Sequence, residues 1–179
     1  MDIELLKYPI GKFERKESIT AEERAVLIAN LKSFPQRLTT VVMELSEEQL
    51  GTPYRPEGWT VRQLVHHLAD SHINSYVRYR WTLTEDTPVI KAYDQTTWAE
   101  LPDASSAPIK FSLNMLKATH ARWTLLLERM SESDFGKELS HPEWSRNLSL
   151  DDMTQIYSWH CDHHLAHITS LIERENWLA

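Results

Sequence analysis

The stretch "WHCDHHLAHI", residues 159–168, places four of the chain's nine histidines within ten positions. It lies in a helix-forming segment that Ser149 opens as a capping box with Asp152 and that reaches about Asn176. Two i,i+4 pairs sit inside it, His160 with His164 and His163 with His167, and each pair stacks on one helical face. This is the spacing by which a helix offers two nitrogen ligands to one metal ion. At about 100° per residue, with His160 at zero, the apolar arc of Met153, Tyr157, Ile168 and Leu171 centres near about +60°. His164 falls near about +40°, whereas His163 and His167 fall near about −60° and −20°. The pair His160/His164 therefore lies closer to the core direction. Two imidazoles buried without partners would be costly, so each either bonds a buried carboxylate or carbonyl or shares a metal. A pair cannot close a metal site, and a third ligand is needed.

The segment "TVRQLVHHLADSHINSYVRYRW", residues 60–81, supplies the other candidates, His66, His67 and His72. Thr60 and Gln63 form its capping box. Its apolar residues, Val61, Leu64, Val65, Leu68 and Tyr79, make His72 the most inward histidine, leave His67 on a flank and turn His66 away. Periodicity alone selects His72.

The chain divides around these two segments into four long helices. The first spans about Thr20–Leu45, with Thr20 and Glu23 as capping box and a kink or break expected near Phe34, because Pro35 interrupts it. "SEEQL" then begins a short turn or helix before the loop "GTPYRPEGW", residues 51–59. The second helix runs from Thr60 to about Leu83. A long connection, 84–107, leads to a third helix from about Pro108 to Met130. "SESDFGKELSHPEWSRNL", residues 131–148, is a second irregular connection. The expected architecture is all-α, an antiparallel four-helix bundle forming a single domain over 1–179. With only four glycines and no Gly-rich phosphate loop, a nucleotide-binding fold is not expected.

The 179 residues carry a formal net charge of −7 and no Lys/Arg-rich run, which argues against a nucleic-acid partner. The amino terminus lacks an apolar signal region. No run of about 18 apolar residues suggests a membrane span. One cysteine, Cys161, excludes an internal disulfide, and a cytoplasmic protein is expected. The seven tryptophans are expected in core and interface packing.

Taken together, "YPIG", "TPYRPEGWTVRQLVHHLADSHINSYVR", "ARWTLLL" and "WHCDHHLAHI" make the chain resemble the YfiT-like metal-dependent hydrolases of the DinB/YfiT superfamily over nearly its whole length. The resemblance implies a four-helix bundle, a homodimer and one divalent metal per chain, held by His67, His160 and His164. It thus agrees with the helical wheel for the fourth helix and departs from it for the second, where His72 becomes a packing or supporting residue. By ligand softness the metal is expected to be zinc or nickel.

Three neutral imidazoles would leave the ion's charge undiminished and positions open, the pattern of a catalytic site. Such an ion would acidify a water or a thiol. The expected activity is hydrolysis of a small-molecule substrate. The alternatives are transfer of a low-molecular-weight thiol such as bacillithiol, and a non-enzymatic dimer stabilised by its metal. No catalytic base stands out. Asp70, one turn beyond His67, is the only obvious acid on that flank, and it reads better as a hydrogen-bonding support or a surface ion pair. Asp162 is expected in solvent, and Cys161 as a small buried or flank residue.

Overall fold

In a computed structural model, residues 3–177 are described. In chain order the helices are α1 (Ile3–Lys7), α2 (Ala21–Val42), α3 (Glu47–Leu50), α4 (Val61–Thr84), α5 (Gln95–Ala99), α6 (Pro102–Ser106), α7 (Lys110–Leu127), α8 (Glu132–Phe135) and α9 (Leu150–Glu175). A two-residue antiparallel pairing of β1 (Glu138–Leu139) with β2 (Leu148–Ser149) ties the second long connection to the start of α9. The long helices α2, α4, α7 and α9 form the bundle. Reciprocal capping boxes start three of them, at Thr20, Thr60 and Ser149. At the other end of α9, Asn176 adopts a left-handed conformation and stops the helix.

Packing pairs α2 with α9 and α7, and α4 with α7 and α9, so α2 lies diagonally across the bundle from α4, and α7 from α9. Residue pairs give the directions. Arg24 meets Asp151 and Arg37 meets Asp162, so α2 and α9 run parallel. His66 meets Ser112 and His72 meets His120, so α4 and α7 also run parallel. Tyr79 meets Thr154 while His72 meets His160, which makes α4 and α9 antiparallel. The four-helix bundle is present, but two of its neighbouring pairs are parallel rather than antiparallel. The reason is the connection after α4: it must return along the bundle for α7 to start beside the start of α4.

That connection is not structureless. Asp94 caps α5 through the amides of Thr96 and Thr97, Pro102 opens α6, and both short helices pack on α4. The core is filled by Leu31, Phe34 and Leu38 from α2, Leu64, Leu68 and Tyr79 from α4, Leu116 and Trp123 from α7, and Leu150, Ile168 and Leu171 from α9. Trp123 is the one tryptophan fully buried among the described residues, whereas Trp81, Trp98 and Trp144 are exposed.

The expected break at Pro35 does not occur. α2 continues through it. The proline has no N–H for the carbonyl of Leu31, and the Nδ1 of His120 on α7 takes that place at 2.6 Å.

Candidate metal centre

His67 on α4 and His160 and His164 on α9 converge between the two antiparallel helices. Each can offer one ring nitrogen such that all three nitrogens lie within 4.8 Å of one another. The ring centroids of His160 and His164 are 4.4 Å apart, and that of His67 lies 5.5 and 5.1 Å from them. His67 reaches the group from the helix flank because the site is off the bundle axis, beneath the 51–59 loop, whose Trp59 ring lies 4.6 Å from the His67 ring. The more inward His72 points behind His160 instead.

Two chains of imidazoles back the group. In the first, His120 Nδ1 bonds the Leu31 carbonyl, His120 Nε2 lies 2.7 Å from His72 Nδ1, and His72 Nε2 lies 3.0 Å from His160 Nδ1. A carbonyl only accepts, so His120 must carry its proton on Nδ1. For neutral rings the rest follows: His72 donates from Nδ1, His160 donates from Nδ1, and His160 Nε2 keeps its lone pair for the centre. In the second chain, His167 Nε2 donates to the Lys7 carbonyl at 3.1 Å and its Nδ1 lies 3.3 Å from His164 Nδ1. The same logic leaves His164 Nε2 free. Both chains end on a backbone carbonyl.

Burial keeps these rings neutral. It pushes His67, His120 and His167 down to about 4, and His72, His160 and His164 well below the ordinary histidine value, with like-charged neighbours adding to the effect on the last three. The lone pairs are therefore available at neutral pH. A cavity of about 590 Å3 opens on the group, walled by Tyr8, Tyr54, Trp59 and Trp159. Tyr54 stacks on His167 at 4.3 Å, and the turn at Tyr8–Gly11, where Gly11 takes a φ of 81°, brings the Lys7 carbonyl to His167.

A family model described as the DinB superfamily matches residues 30–168, most of the chain and all of this group. The chain belongs to the DinB superfamily. Within it, a relative from Bacillus pumilus named "Putative metal-dependent hydrolase" is 49% identical over 172 residues, covering 96% of this chain and 98% of that one. The solved structure of YfiT from Bacillus subtilis, described as a probable metal-dependent hydrolase with an unusual four-helix bundle topology, superposes with a TM-score of 0.95 at 44% identity. That match covers 97% of this chain and 99% of that chain. A mycothiol-dependent maleylpyruvate isomerase shares the fold alone, at 20% identity and a TM-score of 0.61, with 61% of its length covered.

The remaining residues singled out in the sequence are placed as follows in this DinB bundle. His66 bonds Ser112 and the Ala107 carbonyl, away from the centre. His163 stacks on Trp159 at 4.3 Å and leaves its buried Nδ1 without a partner. His163, His164 and His167 also lie close enough to share an ion. However, His167 already spends both nitrogens on Lys7 and His164, and that set reads as support for His164. Asp70 lines neither this cavity nor its neighbour. It sits near Asp103 of the crossover, and burial, then that second carboxylate, push its carboxyl up to about 6. Asp162 is not free in solvent: it binds Asn30 and Arg37. Cys161 is fully buried in the hydrophobic core, and burial pushes its thiol up, which suits packing rather than reactivity. Sequence reasoning missed His120. Its one signal was Pro35, which announces a carbonyl at Leu31 in need of a donor.

Proposed function

We propose that this DinB protein is a metal-dependent hydrolase of a small-molecule substrate, with one divalent ion, zinc or nickel, held by His67, His160 and His164. The observation that carries the reading is the convergence of three neutral imidazoles on one cavity, two of them with their far nitrogens tied down. The donor set fits the group: imidazole suits both metals, and three ligands leave positions for substrate. The names of the Bacillus relatives support the same activity. When bound, the ion supplies Lewis acidity that brings a water or thiol proton into the neutral range.

The chain's own residues do the rest. His72 and His167 hold the His160 and His164 rings in place, which keeps ligand geometry tight and the metal poised. Tyr54, Trp59 and Trp159 wall the cavity and strengthen polar interactions inside it by limiting water. Transfer of a small thiol is the second reading, and one observation favours it. Among the described residues lining the cavity the one carboxylate is Glu57, which is exposed, so no buried general base is in place to activate water. A homodimer is part of the proposal, and light scattering at micromolar concentration is its check; a monomer overturns it.

The test of function is direct. Metal-loaded protein is assayed against a panel of esters and amides, and in parallel with a small thiol plus an electrophile. Turnover in the first panel that chelation removes supports hydrolysis. Turnover only in the second, with an intense near-ultraviolet band when thiol is added to cobalt-loaded protein, replaces it with thiol transfer.

A further inference from the structure

A second cleft, of about 660 Å3, adjoins the first. Both are lined by His160, Gln95 and Thr96, and the second adds Arg78 from α4, Tyr157 from α9, and Tyr93, Asp94, His141 and Glu143 from the connections. Arg78 is the feature that stands apart. It is only 6% exposed, yet among the described residues its guanidinium bonds only Tyr157 Oη at 3.5 Å and the Lys91 carbonyl at 3.2 Å. The other buried arginines follow a different rule. Arg24, at 5%, is held by both oxygens of Asp151 and by Glu132, and Arg62, at 8%, is held by Glu47. Arg78 takes part in none of the salt bridges among the described residues. A guanidinium cannot shed its proton, so a buried one without an anion stays charged and poorly compensated.

The two acids of the cleft do not fill that role. Asp94 spends its carboxylate on the amides of Thr96 and Thr97 and on the Thr97 hydroxyl, and Glu143 is exposed. Two other side chains of the cleft have a proton to donate. His141 accepts the Glu143 N–H on its Nδ1 at 3.2 Å, which leaves a neutral ring with its proton on Nε2. Tyr157 has a hydroxyl proton to give.

We propose that Arg78, with Tyr157 and His141, is an anion subsite that binds a carboxylate group of the substrate. A planar carboxylate matches the guanidinium fork, and one cation suits one negative charge, whereas the two acids nearby disfavour a phosphate dianion. Tyr157 links the subsite to the metal centre, since its ring centroid is 5.6 Å from that of His160. The substrate class is therefore a small carboxylic acid whose reacting group lies a few bonds from the carboxylate. Only that last placement rests on the function proposed above; anion binding at Arg78 does not.

The experiment uses metal-free protein, so that no ion can bind the probe. Binding of 4-fluorobenzoate is followed by fluorine NMR, beside 4-fluorobenzyl alcohol and 4-fluorophenyl phosphate. The benzoate is expected to bind at millimolar concentration and to shift the Arg78 Nε–H resonance, the alcohol not to bind, and the phosphate to bind more weakly. Arg78→Lys should weaken the benzoate about tenfold, the loss of a charge-assisted hydrogen bond, and Arg78→Met should abolish its binding. Because Arg78→Met also removes a buried charge, its melting temperature should not fall, whereas added benzoate should raise that of the parent alone. Should Arg78→Met fail to fold, the Arg78→Lys comparison and the Nε–H shift decide. No benzoate binding by the parent, equal binding by Arg78→Lys, or binding without an Arg78 shift overturns the subsite. Metal content is measured separately, so failure of the metal centre and failure of the subsite cannot be confused.

Discussion

His120 Nδ1 lies 2.6 Å from the carbonyl oxygen of Leu31, the oxygen that Pro35 leaves without a helical donor. A proline inside a helix usually disrupts it by freeing that carbonyl. Here the freed carbonyl is put to use, because an acceptor buried at this point dictates which nitrogen of His120 is protonated. That choice passes through His72 and sets His160 with a bare Nε2. The tautomer of His160 on α9 is thus linked to a proline in α2.

Removing the link should be measurable in stability. His120→Leu orphans the Leu31 carbonyl and the His72 Nδ1–H, at about 1–3 kcal/mol each, so unfolding in urea should lose about 2–6 kcal/mol. Pro35→Ala restores an N–H for Leu31. In the His120→Leu background it should return about 1–3 kcal/mol more than it does in the parent. Additive effects of the two substitutions would show that the carbonyl does not connect them.

His72 is expected to tune the metal rather than hold it. His72→Leu should lower affinity about 10–100-fold while the protein still takes up one ion per chain at saturation. His72→Gln, whose side-chain oxygen can accept from His160 Nδ1, should recover part of the loss. Calorimetric titration giving the same affinity for His72→Leu and the parent would remove the chain from the account.

Burial of the histidines has a pH consequence with a definite sign. In metal-free protein His67, His120, His163 and His167 titrate at about 4, below the ordinary 6.5. As pH falls below 6.5 the unfolded chain takes up these protons first. The stability they contribute is complete above 6.5 and is lost on the way down to about 4, at up to about 1.4 kcal/mol per pH unit for each group. Asp70, raised to about 6, acts in the opposite sense between its ordinary 3.8 and that value, and a single carboxyl does not offset four histidines. The urea midpoint should therefore drop steeply from pH 6.5 to 4. A flat profile would mean that the native protein takes up these protons over the same pH range as the unfolded chain.

The parts of this structure legible in the sequence are those set by local rules. Thr20, Thr60 and Ser149 cap the helices their side chains announce, and the spacing of His160 and His164 puts them on one face. What local rules miss is tertiary. A helical wheel assumes that the functional direction is the core direction, and so it favours His72. The cavity lies off the axis, where the flank residue His67 points, and the inward position is taken by an imidazole that bonds two others. His120 and Arg78 carry no signature of their own. The first matters because of Pro35 on another helix, and the second because no acid among the described residues pairs with it. The parallel runs of α2 with α9 and α4 with α7 depend on where the crossover returns the chain, which periodicity does not encode.

The central claim is that His67, His160 and His164 hold one divalent ion, and metal content tests it most directly. Each of His67→Ala, His160→Ala and His164→Ala is loaded with zinc or nickel, exchanged into metal-free buffer and measured by elemental analysis, beside His72→Ala and His163→Ala. About one ion per chain is expected in the parent and in the last two variants, and none retained in the first three, because two imidazoles do not close a site. Stoichiometric metal in His67→Ala or His164→Ala, or its loss from His72→Ala alone, would contradict the claim.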